Sequence, residues 1–147
     1  MDDTQIDLNL TAFIPADYIP DLEQKMAAYR SIAATQSRLE LAQVQADLID
    51  RYGEIPIPAL QLFRVVELKQ LAKSLGFSRI KSDSKQHIVL ETAMEEPAWN
   101  LIAESLSDTI KSRLVYGKGA VTARGVAALK PDQQLDTLIS WLSRCQL

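Results

Sequence analysis

Cysteine, histidine and glycine are scarce in this 147-residue chain, and each scarcity removes a class of function. One cysteine, Cys145, excludes an internal disulfide framework and fits a reducing compartment. It sits on the last helical pattern with no base identifiable near it, so it reads as a small filler or a solvent-facing thiol rather than a nucleophile. One histidine, His87, falls in an alternating strand and reads as an exposed or edge polar residue. No convergent Cys, His or carboxylate spacing suggests a metal site. Five glycines supply no G-x-x-x-x-G-K-[ST] phosphate loop. The nearest approach, Tyr116-Gly117-Lys118-Gly119-Ala120-Val121-Thr122, lacks the earlier glycine and carries Gly119 where the magnesium-binding hydroxyl belongs, so a plain turn between strands is expected. There is no G-x-S-x-G elbow.

Positive charge is also short. Sixteen Lys and Arg stand against nineteen Asp and Glu, a formal net charge of −3, which argues against a sequence-neutral nucleic-acid binder. Lys111, Arg113, Lys118, Arg124 and Lys130 form a mild basic cluster that reads as a solvated face. No run approaches the roughly 20 apolar residues of a membrane helix. The start, Met1-Asp2-Asp3-Thr4-Gln5, is acidic and polar, unlike a signal or transit segment, and the expected location is the cytoplasm.

What remains is an average globular composition, 47% hydrophobic and 24% charged, of a length suited to one domain over residues 1–147. Residues 4–10 alternate, with Ile6, Leu8 and Leu10 on one face, and predict a strand. The next strand-like run lies far downstream, so its partner is either distant or in chain that is missing. Ala12 to Asp21 holds two prolines and reads as an extended segment anchored by Phe13, Ile14, Tyr18 and Ile19. Asp21 then caps a helix whose core stripe is Leu22, Met26, Tyr29 and Ile32. Ser37-Arg38-Leu39-Glu40 is a capping box opening a second helix with Leu41, Val44, Leu48 and Tyr52 inside, and Gly53 stops it. A third helix runs from Ala59 to Leu75 with Pro58 at its first position. Its apolar stripe is wide enough to be covered on more than one side, and it is the expected central core helix.

From Gly76 the period changes. Strands are predicted at Phe77–Lys81, His87–Thr92, Leu114–Tyr116 and Val121–Leu129, with a hairpin signal at Ser82 to Gln86. A short helix bears Trp99, Ile102 and Leu106, and a last helix from Pro131 bears Leu135, Leu138, Ile139 and Leu142. The order is a strand and three helices followed by a ββαββα half with a mainly antiparallel sheet, which is class α+β.

Two acids stand out against this frame. Asp47 and Asp50 are three apart on the second helix and point away from its core stripe. An Asp47–Arg51 pair at four-residue spacing would account for one of them as an ordinary exposed helix pair. Acids near a helix C-terminus oppose its dipole, so stability is a weak reason for Asp50. Two carboxylates on one face suit arginines of a partner, which bind carboxylate bidentately.

Ile6-Asp7-Leu8-Asn9-Leu10, Phe13-Ile14-Pro15-Ala16-Asp17-Tyr18-Ile19-Pro20-Asp21, Leu48-Ile49-Asp50-Arg51-Tyr52-Gly53-Glu54-Ile55-Pro56 and Leu68 to Gly76 together resemble the C-terminal domain of the bacterial transcription-repair coupling factor. The resemblance is specific over about residues 5–80 and thins beyond. It implies a fragment beginning at Met1, taken from an ATP- and magnesium-dependent DNA translocase that displaces stalled RNA polymerase and recruits the excision-repair protein UvrA. The domain itself then holds no catalytic residue and no cofactor. It is a regulatory module that packs at rest on the UvrB-like N-terminal module of the same protein, masking the UvrA-binding surface and restraining the motor. In that picture Asp47, Asp50 and Arg51 are the intramolecular partner-binding residues. The competing expectation is an independent protein- or nucleic-acid-binding module acting through the C-terminal half.

Overall fold

The alternation at the start of the chain does form a strand, and the strand has its partner within this sequence. In the computed structural model, which describes residues 3–83 and 86–146, β1 (Gln5–Asp7) pairs in parallel with β2 (Phe77–Ser82), Ile6 opposite Ile80. The Thr4 hydroxyl, itself buried, donates to the carbonyl of Phe77 at 2.6 Å. A partner in missing chain is therefore not needed; the pairing joins segments too far apart for local pattern to reveal. Met1, and the Ser84-Lys85 tip of the expected hairpin, lie outside the described residues.

The sheet continues with β3 (Ile88–Thr92), β4 (Leu114–Gly117) and β5 (Ala120–Ala123) in the order β1-β2-β3-β5-β4, antiparallel after the first pair. Register lines up Ile80, Leu90 and Val121 in one row and Ile88, Ala123 and Leu114 in another, all buried, as a period of two demands. Between them, on the other face, lie Asp7 with Arg79 at 2.5 Å and Lys81 with Glu91 at 2.9 Å.

The chain divides into two compact units, 1–10 with 71–147, and 11–70. The first holds the sheet, α4 (Glu96–Ile102), the single turn α5 (Asp108–Lys111), a 3-10 turn at Val126–Ala128, and α6 (Pro131–Ser143). Trp99 of α4 meets Phe77 edge-on at 6.1 Å, and α6 buries Leu135, Leu138 and Leu142 as its pattern requires. The predicted strand Val121–Leu129 stops at Ala123. Gly125 takes a φ of +78°, which ends the extended run and opens the 3-10 turn.

The second unit holds α1 (Leu22–Ala34), α2 (Arg38–Tyr52) and α3 (Ile57–Leu75) as far as Gln70. Its core gathers Ile14 and Ile19 of the proline segment with Ile32, Leu41, Leu48 and Phe63. No residue of α3 from Pro58 to Ala72 is exposed, which matches its wide apolar stripe. On α1 half of the expected stripe holds: Ile32 is buried and Tyr29 packs against the core, whereas Leu22 is 66% and Met26 44% exposed and Ala28 is buried in their stead.

Candidate partner-binding site

The last turns of α2 are fixed at both ends by side-chain chemistry. At the start, Ser37 Oγ accepts the Glu40 N–H at 3.1 Å, and the Glu40 carboxylate reaches back to the N–H of Gln36 at 2.8 Å. At the end, the Gly53 N–H donates to the Ile49 carbonyl at 2.9 Å, with Gly53 at φ +87°. That backbone conformation excludes a side chain, so the helix must stop there. The Tyr18 hydroxyl donates to the Gly53 carbonyl at 2.8 Å and to that of Leu48 at 3.2 Å, tying the proline segment to the helix end. Tyr18 and Tyr52 rings meet at 5.7 Å, and the Tyr52 hydroxyl donates to Gln24 Oε1 at 2.9 Å. Burial first, and then the neighbouring Tyr52, raises the Tyr18 phenol above its ordinary value.

On this rigid end Asp47, Asp50 and Arg51 are all exposed. The local helix pair does not form: Asp47 accepts from Gln43 Nε2 at 3.1 Å, and the Arg51 guanidinium lies 5.3 Å from the centre of the Tyr52 ring. Among the described residues, Asp50 has no hydrogen-bond or ion-pair partner. A groove of about 200 Å³ runs between α1 and α2, with Gln24, Ala28 and Ser31 on one wall and Val44, Asp47 and Arg51 on the other. Asp47 and Arg51 thus line the groove, and Asp50 stands outside it. The groove was not read from the sequence, although Ala27, Ala28 and Ser31 on one face of α1 are small enough to leave it open.

The remaining sequence candidates have structural occupations. His87 Nδ1 accepts the Gly125 N–H at 2.8 Å. Arg113 donates to the carbonyl of Arg124 through Nε and Nη2, and its guanidinium lies over Trp141, so the basic cluster does not present it as a free charge. Lys118 and Gly119, at φ +42° and +80°, form the two-residue turn between β4 and β5. Burial pushes the Cys145 thiol up to about 11. Among the described residues no group of three or more His, Cys, Asp or Glu is placed to hold a metal ion, and no helix is long and apolar enough to cross a membrane.

By fold the chain is an α+β module in which a three-helix segment separates two parallel strands of one mixed sheet. The sequence profile of the family described as "TRCF domain" matches residues 8–99, and the chain belongs to that family. It is 32% identical over 98 residues to the transcription-repair-coupling factor of Escherichia coli K12, covering 65% of this chain and 8% of that protein. To the protein of the same name in Mycobacterium tuberculosis it is 38% identical over 82 residues, 56% of this chain and 7% of that one. The chain therefore spans less than a tenth of the length of these relatives. A crystal structure of the C-terminal domain of transcription-repair coupling factor superposes with a TM-score of 0.76 at 22% identity, covering 97% of this chain and 91% of that one, which shows the shared fold.

Proposed function

We propose that this chain is a non-catalytic regulatory module of a transcription-repair coupling factor, acting as one half of a closed/open switch. At rest it packs on a UvrB-like N-terminal module of the same protein, masks the surface that takes UvrA, and restrains an ATP- and magnesium-driven DNA motor that displaces stalled RNA polymerase. The observation that carries the reading is the pair of exposed acids on α2, neither of them in a charge pair among the described residues. Carboxylates held on a rigid helix end and not already neutralised are available to arginines of a partner.

The energy scale agrees with a switch. Moving a two-state equilibrium from 1:99 to 99:1 takes about 5.5 kcal/mol, within reach of a few charge-assisted contacts that a motor can break. Reversing Asp47→Lys and Asp50→Lys together in the full-length protein is expected to raise resting UvrA binding and to leave the melting temperature of this chain unchanged. UvrA binding that stays at the resting level in a correctly folded variant rules the assignment out.

A further inference from the structure

Helix α2 carries a second apolar stripe, on the side away from its core. Leu39, Ala42, Ala46 and Ile49 follow at spacings of three, four and three, which places them on one face. All four are exposed, Leu39 by 82% and Ile49 by 47%. The spacing is that of the a and d positions of two heptads, and the alanines between the larger ends leave hollows for the side chains of a facing helix.

The two flanks of the stripe differ in charge. On one, Arg38 and Ala42 border a depression of about 400 Å³ between α2 and α3, with Leu60 and Phe63 in its lining. The charges at its rim are already engaged: Arg38 pairs with Glu67, and Arg64 is engaged as well. The other flank holds Gln43 and Asp50 and no cation, since Arg51 turns the opposite way and lies over the Tyr52 ring. Asp50 has no partner among the described residues.

We infer that this stripe takes an amphipathic helix of a partner polypeptide, packed along α2, with a large apolar side chain over Ala42 toward the depression and a Lys or Arg opposite Asp50. The inference rests on the reading of Asp47 and Asp50 as contacts to a partner module, and adds the kind of element that makes the contact. Asp47 and Arg51 line the groove toward α1, whereas Asp50 belongs to the stripe. Charge argues against a second copy of this chain as the occupant. In a two-fold pairing through the stripe, parallel or antiparallel, the flank of Asp50 meets glutamines of the copy. Arg38 then lies on the other flank or about three turns away, so the acid gains no cation.

The test replaces Leu39, and separately Ile49, of the full-length protein by the photo-cross-linker benzoylphenylalanine, and maps the linked peptides of the resting protein by mass spectrometry. The two positions are about 15 Å apart along α2, so they should capture sites about ten residues apart in a helical segment of the partner module, and about four or five apart in an extended one. The helical spacing is expected, with apolar residues three and four apart and a Lys or Arg within a turn of the site that Ile49 captures. Ala46→Gln, which fills a hollow on an exposed face, should lower both yields about tenfold at unchanged melting temperature. Extended spacing, links to two unrelated segments or to a second copy, no links, or undiminished yields in Ala46→Gln would each overturn the inference. If any of these is found while the Asp47→Lys, Asp50→Lys protein shows raised UvrA binding, the reading of the acids stands and only the helix is lost. If that charge reversal leaves UvrA binding at the resting level, the reading falls and the inference with it.

Discussion

The phenol of Tyr18 and the carbonyl of Gly53, thirty-five residues apart in sequence, are joined by a hydrogen bond of 2.8 Å. With its second acceptor, Leu48, this contact fastens the proline segment over the glycine stop that ends α2. Tyr18→Phe should cost about 0.5–1.5 kcal/mol, the net worth of an ordinary hydrogen bond, since the Gly53 carbonyl is exposed and water can replace the phenol there. Burial of the same phenol, and then the neighbouring Tyr52, set a pH dependence. The folded phenol titrates above its ordinary 10.0, so its contribution is fully present below that value and is lost as pH rises through the folded one. Urea titrations through the alkaline range should show the stability gap between the natural chain and Tyr18→Phe closing as pH rises.

Leu68 is fully buried in α3. Leu68→Ala should cost about 2–5 kcal/mol by loss of packing and the cavity left behind. Leu68→Asp should leave the chain unfolded or insoluble, since an unpaired carboxylate cannot stay buried. A soluble Leu68→Asp chain with an unaltered melting temperature would remove α3 from its central place.

Gly125 and Gly117 make an internal comparison. A Cβ at Gly125 would lie 2.9 Å from Arg113 Nη2, on a backbone at φ +78°, and Arg113 is itself holding the Arg124 carbonyl. Gly117 has no neighbour within 4 Å of such a Cβ and no positive φ. Gly125→Ala is expected to destabilise by about 1–2 kcal/mol, with Gly117→Ala close to neutral, both measured by thermal unfolding.

The Cys145 thiol, pushed up to about 11 from an ordinary 9.0, should react slowly. At pH 8 its thiolate fraction is roughly a hundredfold below that of an unperturbed thiol, and alkylation by iodoacetamide should be slowed in proportion. Adding denaturant should restore the ordinary rate. An undiminished rate in the folded chain would mean that burial does not govern this thiol.

Local chemistry was legible and distant pairing was not. Asp21 and Ser37 cap their helices as their spacing to Gln24 and Glu40 announces, because those hydrogen bonds reach only three residues. The alternation around Ile80 and Leu90 survives intact, since a period of two needs no knowledge of the partner strand. Pattern could not find the partner of β1, which is set by Ile80, seventy-four residues beyond Ile6. It also misplaced Leu22 and Met26, because α1 offers two adjacent faces and only the packed partners choose between them. For the site, the outward direction of Asp47 and Asp50 followed from 100° per residue. The engagement of Arg51 with Tyr52, and the open groove beside Asp47, depend on side-chain rotamers and on a neighbouring helix.

The parallel pairing of β1 with β2 also sets an order of events in time. Its three residue pairs close a loop of more than seventy residues, whereas β2 and β3 meet across a short turn. By the logarithmic cost of loop closure, the first pairing is about 2 kcal/mol dearer in chain entropy than the second. The β2–β3 hairpin can therefore form early, while β1 docks late and is the first strand to fray. Amide exchange at Ile6 should proceed through local openings that leave Leu90 protected.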